Sequence, residues 1–209
     1  MYAPSHFRVD DEAAALRLFS EVGFATLTTV VEGRAVISHI PMLADPARRV
    51  LRGHLARANP HAALIERRTH LVSIIGPNAY VSPDWYSDLK QVPTWNYLAV
   101  HVEGVGRVLT EPDAVDAVLD ELSAHHEARR ADLADGKIWE LEKLPPEKLR
   151  KLRTAIVAFE IDIEKIDFKA KLSQNKGDED FDRVTRKLAE GGEGARGVAA
   201  AMRALKERR

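Results

Sequence analysis

The chain has 209 residues, 45% hydrophobic and 30% charged, with a formal net charge of −1 and no cysteine. That length suits one domain with an appended segment, or two small ones, and supplies ample material for a core. The absence of cysteine excludes disulfides, thiol nucleophiles and thiolate metal sites, and the near-neutral balance gives no overall basic field to draw in nucleic acid.

The opening MYAPSHFRVDDEAAALRLF has no basic stretch followed by an apolar run, so no signal peptide is expected, and no later run approaches membrane-spanning length. The expected location is the cytoplasm, with no membrane partner. Asp10 or Asp11 is placed to cap a helix over Glu12 to Val22, with Ala14, Leu16, Leu18 and Phe19 as its buried face and Gly23 ending it. FATLTTVV (24–31), the Glu32-Gly33 turn and AVISHIPM (35–42) read as a β-hairpin. Asp45-Pro46 turns the chain into a third strand, VLRGHLA (50–56). Asn59 as N-cap and Pro60 at the first position predict a helix to about Arg68. HLVSII (70–75) reads as a strand ended by a Gly76-Pro77-Asn78 turn.

Two of the three Trp and three of the four Tyr fall between Tyr80 and Tyr97. Such clustering in a Pro-punctuated loop predicts a surface that holds something flat or meets another subunit. A strand from Tyr97 to Thr110 follows, with Leu98, Val100 and Val102 on one face and Tyr97, Ala99, His101 and Glu103 on the other. Pro112 and Asp113 open a helix to about Arg130, 131–144 has no clear pattern, and a short basic helix covers Glu147 to Lys151. TAIVAFEIDI (154–163) is the last strand, and FKAKLSQN (168–175) is polar and basic. The tail reads as a helix over Asp178 to Leu188, a Gly-rich break from Gly191 to Gly197, and a basic helix carrying Arg203, Lys206, Arg208 and Arg209. Strands dominating the middle, with helices between them, predict an antiparallel β-barrel with peripheral helices.

Two segments favour anions. Arg57 stands two residues before the predicted helix start at Asn59-Pro60, where free N–H groups and a guanidinium fork would cradle a phosphate ester. Lys169, Lys171 and Ser173 share one side of an extended stretch, with Gln174, Asn175 and Lys176 beyond. His39, His54 and His101 lie in predicted strands, where convergence would allow a metal or haem ligand, although no helical histidine spacing supports a metal site. No nucleophile-elbow, Walker A or dinucleotide fingerprint is present, and Gly104-Val105-Gly106 sits inside a strand. No helix-turn-helix is visible.

MYAPSHF, AVISHIPML, GHLARANP, GPNAYVSPDWY, VPTWNYLAVHVEG and FKAKLSQNK, in this order, make the chain resemble the PaiB-like FMN-binding negative transcriptional regulators over nearly its whole length. The chain departs from that pattern at His61-Ala62, where the family often has Gln-Trp. The resemblance implies a mainly β, α+β fold: an FMN-binding split β-barrel of Greek-key type over 1–175, and a helical tail over 176–209 packing on the barrel or a partner. It implies FMN, a cofactor that some members lack while keeping the barrel, in a homodimer with flavin between subunits. It also implies a cytoplasmic repressor, with DNA as a further candidate partner. Flavin-dependent oxidoreductase and haem-binding split barrel are the alternatives. Carried onto this sequence, the cofactor contacts are Ser38, His39, His54, Arg57, Asn59, Thr94, Trp95, Asn96, Lys171, Ser173 and Gln174. The phosphate is expected at Arg57 to Pro60 with Lys171 and Ser173, and the ring near Thr94 to Asn96. No catalytic residue is identified.

Overall fold

A computed structural model describes residues 1–88, 90–132 and 138–207. Six antiparallel strands carry the fold: β1 (Phe24–Val31), β2 (Arg34–Asp45), β3 (Val50–Ala56), β4 (Thr69–Val81), β5 (Thr94–Val108) and β6 (Ile156–Lys171). They close in the order β1-β2-β3-β6-β5-β4, the barrel expected from the strand-rich sequence. Five α-helices accompany them: α1 (Glu12–Val22), α2 (Pro112–Glu127), α3 (Pro146–Thr154), α4 (Asp178–Ala189) and α5 (Glu193–Lys206). Contacts divide the chain into two compact units. The first holds Met1–Leu18, Ile74–His101 and Ile166–Arg209; the second holds Phe19–Ser73 and Val102–Lys165.

The second unit contains the β1–β2 hairpin. Glu32 (φ 50°) and Gly33 (φ 75°) both take the left-handed backbone that a tight two-residue hairpin turn demands. Register follows, with Thr26 opposite His39 and Thr28 opposite Ile37, while Thr28 faces Leu71 of β4 on its other side. Alternation puts Ala25, Leu27 and Thr29 inside and Phe24 and Val30 outside. β2 continues into β3, and β3 pairs with β6 from Val50–Asp162 to Ala56–Ile156. α2 covers the outer side here, packing Val118 and Leu122 on Leu43 and Ala158. Beside it lies Glu160, 2% exposed. Arg48 grips it bidentately at 2.6 and 3.0 Å, and Arg52 and Arg107 bond it as well. Burial pushes the Glu160 carboxyl up, but the bonds and charges of Arg48, with those of Arg107 and Arg52, outweigh it and hold the group below the usual carboxylate range.

In the first unit, α1 is capped by Asp11, whose carboxylate accepts the Ala14 N–H at 2.8 Å. Its buried face is Ala15, Leu16, Leu18 and Phe19, Phe19 belonging to the second unit; Ala14 is only half-buried. α4 and α5 pack together through Phe181, Val184, Leu188, Val198 and Met202, all at most 1% exposed.

Three local expectations fail for tertiary reasons. The helix expected over 60–68 is one 3-10 turn, Pro60–Leu64, because His61 and Ala62 are drawn into the core and the chain must already be extended at Thr69. The Gly76-Pro77-Asn78 turn is continuous strand: Gly76 lies under Leu18, and Pro77 and Asn78 lie under the glycines of α5. The Gly-rich break is confined to residues before Glu193, and Gly194 and Gly197 are helical. A Cβ on Gly194 would stand 2.8 Å from the Asn78 carbonyl oxygen, and one on Gly197 2.8 Å from the Pro77 ring, so both are glycine for close approach. Arg208 and Arg209 lie outside the described residues.

Candidate functional site

The expected contact residues fall into two groups, one in each unit. In the second unit, Ser38 and Asn59 belong to a buried polar chain that also contains Thr29, His61 and His70. His70 Nε2 lies 2.9 Å from the Ile65 carbonyl, which can only accept, so Nε2 carries the proton. In the neutral ring Nδ1 then accepts from the Thr29 hydroxyl at 2.6 Å. Thr29 in turn accepts from His61 Nε2 at 2.8 Å, and His61 Nδ1 accepts from Ser38 at 2.9 Å. The Asn59 amide donates to Ser38 at 3.2 Å. Every member is satisfied in one direction only when both rings are neutral. Burial lowers both histidine pKa values. The charge of His70 lowers His61 further; at His70 the bond to Ile65 opposes the shift and the charge of Arg68 adds to it. Gly106 makes room for this chain, since a Cβ there would stand 2.5 Å from His70 Nε2.

His61 and His70 escaped the sequence reading, which weighed His39, His54 and His101 instead. One signal was available: His70 is in phase with Val72 and Ile74, the inward set of β4. His39 points the other way, exposed beside Phe24 with ring centroids 6.5 Å apart, and its Nδ1 lies 3.1 Å from the Thr26 hydroxyl. His54 is half-buried, its Nδ1 has no hydrogen-bond partner, and burial lowers its pKa. Among the described residues, no group of three or more His, Asp or Glu is placed to hold a metal.

Arg57 is occupied by backbone. Its amide donates to the Ala155 carbonyl at 2.8 Å, and its Nε and Nη2 donate to Thr154 and Ile156 carbonyls at 2.7 Å each. It therefore caps the C-terminal, negative end of α3 and fixes the α3–β6 junction. The one-turn helix beyond it offers no open row of donors, because Asn59 Oδ1 and the Asn59 carbonyl already take the His61 and Ala62 N–H groups at 2.9 Å.

In the first unit, Asn96 and Ser173 are buried at 0% and 4% exposure and bonded to each other at 2.9 Å. Ser173 holds a left-handed backbone (φ 61°), and Gln174 ties the chain on either side of it by accepting from Leu172 N–H and donating to the Ala170 carbonyl. This pair positions its neighbours. Lys171 is half-buried and donates to the Thr94 hydroxyl. Burial lowers its pKa, an electrostatic interaction with Tyr97 opposes the shift, and the charge of Lys169 adds to it. Lys169, 8% exposed, donates to the Tyr2 carbonyl at 3.1 Å and lies 5.2 Å from the Tyr97 ring centre. Among the described residues, neither lysine is paired with a carboxylate. Trp95 is 53% exposed and meets Tyr80 edge-on at 6.5 Å.

A family model described as "Putative FMN-binding domain" matches residues 1–165. The chain is 32% identical over 191 residues to the "Protease synthase and sporulation protein PAI 2" of Bacillus subtilis (strain 168), a match covering 90% of this chain and 89% of that protein. Among solved structures it is similar to the FAD and haem binding protein from Mycobacterium smegmatis (TM-score 0.60, 19% identity, 88% of this chain and 80% of that one). It is also similar to the flavocytochrome Anf3 from Azotobacter vinelandii (TM-score 0.56, 14% identity, 84% and 75%). At these identities the structures establish a shared fold, the split barrel.

Proposed function

This chain belongs to the FMN-binding-domain, PaiB-like family, and on that premise we propose that it binds FMN as a homodimer and acts in gene regulation. The observation that carries the flavin reading is the uncompensated charge at Lys171 and Lys169. An ammonium withdrawn from water costs several kcal/mol unless something pairs with it, and hydroxyls, carbonyls and rings supply no counter-charge. The phosphate of FMN would supply one. The donor chemistry fits: Lys171 and the Thr94 hydroxyl in one group, Arg57, His39 and the unpartnered His54 Nδ1 in the other. Trp95 offers an exposed aromatic face for the ring. In this reading Ser38, Asn59, Asn96, Ser173 and Gln174 hold those contacts in place. FMN supplies redox chemistry when bound.

Support for the dimer is the outer face of β1, β2 and β4 within the second unit. Phe24, Val30, Ile37 and Leu71 are 36–65% exposed on adjacent strands, an apolar patch suited to burial against a second copy. Support for regulation is the resemblance to the PaiB-like negative transcriptional regulators; the Bacillus subtilis relative's name speaks of protease synthase and sporulation.

The test is titration of FMN and riboflavin into wild type, Arg57→Ala and Lys171→Ala, followed by flavin fluorescence. A charge-assisted bond contributes roughly 1.5–3 kcal/mol, so each variant is expected to weaken FMN by about one to two orders of magnitude and to leave riboflavin nearly unchanged. Equal losses for both ligands in Arg57→Ala would assign Arg57 to capping α3 alone. No FMN binding by wild type removes the flavin reading, and a Soret band in the purified protein would favour haem. A mobility shift of the protein's own promoter, with and without FMN, tests regulation.

A further inference from the structure

A cavity of about 480 Å³ lies in the second unit, where β5 passes into α2 and α3 passes into β6. Val115, Ile156 and Ala158 contribute to its apolar wall, and Arg57, Arg150 and Arg153 stand around it. Its volume falls within the range of sites that enclose a small organic ligand. The charges around it do not cancel. Arg153 forms a bidentate pair with Asp116. Arg57 is bonded to carbonyls, which orient a guanidinium without neutralising it. Arg150 is exposed and has no partner among the described residues. Three guanidiniums line the cavity and, among the described residues, no carboxylate does; Asp116 pairs with Arg153, Asp120 adds its charge to that pair, and Arg57 and Arg150 have no carboxylate bonded to them.

We propose that this cavity binds a small amphipathic anion, a carboxylate carried on an aliphatic or flat aromatic body, at a site that shares only Arg57 with the proposed flavin contacts. The apolar body fills the wall formed by α2 and the start of β6. The carboxylate meets the planar fork of Arg150 and the N–H groups of Arg57 that the carbonyls leave free. Neutral hydrocarbons would leave the guanidiniums uncompensated, and compact inorganic anions would leave the apolar wall wet, so neither satisfies both halves. The site sits on the α3–β6 junction, and a ligand there would tighten the helix end that Arg57 already caps.

The test uses 1-anilinonaphthalene-8-sulfonate as the fluorescent probe, its sulfonate standing in for the carboxylate, with octanoate as competitor. Wild type is expected to bind one probe per chain and to release it to octanoate. Arg150→Glu is expected to weaken the probe at least tenfold without changing the melting temperature, because Arg150 is exposed and unpaired; Arg150→Lys should restore part of the loss. Val115→Trp, which fills the hollow, should abolish binding. Because Arg57 also belongs to the proposed phosphate contacts, the decisive variants are at Arg150. Probe binding that is indifferent to both Arg150→Glu and Val115→Trp overturns the proposal. A protein that fails to bind FMN but binds the probe through Arg150 removes the flavin reading and leaves this one standing.

Discussion

The buried histidine chain fixes a pH dependence. His61 and His70 each use one ring nitrogen as acceptor and the other as donor, so a proton on either ring removes the acceptor of the hydroxyl bonded to it. Both folded-state pKa values lie below the ordinary histidine value, first through burial. The unfolded chain therefore binds protons more readily than the folded one. Stability is complete above about pH 6.5 and falls as pH drops below it towards the folded values. Urea unfolding between about pH 7.5 and 5.5 should show the midpoint decreasing, and a His61→Gln, His70→Gln double variant should show a flatter profile at lower overall stability. An unchanged slope in that variant would place the pH dependence elsewhere. The same scale separates the site residues by reach. Asn96 and Ser38 are inside and saturated, whereas Arg57, Trp95 and His39 are reachable from solvent.

At the level of elements, α5 tests packing against propensity. Alanine is preferred to glycine in a helix interior by about 1 kcal/mol, so Gly194→Ala in a loosely attached tail would raise the melting temperature. Here the new methyl would meet the Asn78 carbonyl of β4 at 2.8 Å. Backbone must shift, and overpacking of this kind costs roughly 1–3 kcal/mol. Gly194→Ala is expected to lower the melting temperature, while Gly192→Ala, with open space around it, should be nearly neutral. If Gly194→Ala stabilises the protein, α5 does not pack on β4 in solution. Met202 adds to that packing, its sulfur 3.7 Å from the Asn96 amide and 3.8 Å from the Thr185 hydroxyl. α4 and α5 close over the Asn96–Ser173 pair that sets up Thr94 and Lys171.

For the molecule as a whole, the exposed face of β1, β2 and β4 gives the assembly prediction. Thr28 lies between Ile37 and Leu71 in adjacent strands, and Phe24 and Val30 flank it along β1. Ile37→Glu places a carboxylate in the middle of that face, where a second copy would have to desolvate it. Sedimentation at micromolar concentration should show a dimer for wild type and a shift to monomer for Ile37→Glu, with circular dichroism unchanged. A wild-type monomer removes the homodimer from the proposal. Among the described residues, no helix is long and apolar enough to cross a membrane.

Local sequence determined the elements whose signals are local. β1 and β3 and helix α1 begin and end where alternation, the Glu32-Gly33 turn, Asp11 and Gly23 place them, because each boundary is set by backbone groups only a few residues apart. The barrel was legible for the same reason: strand alternation and turn chemistry are repeated along the chain. What only the tertiary structure decided was the partner of each polar group. Arg57 in sequence stands before a helix start, yet in space it caps the end of α3, nearly a hundred positions later. His61 follows an Asn-Pro that signals a surface helix, yet the space left by Gly106 and the hydroxyls of Thr29 and Ser38 draw it inside. Gly194 and Gly197 look like a hinge until β4 is seen against them. A side chain's type fixes which bonds it can make. Which partner it meets depends on chain segments far apart in sequence, and close packing brings those together only in the folded state.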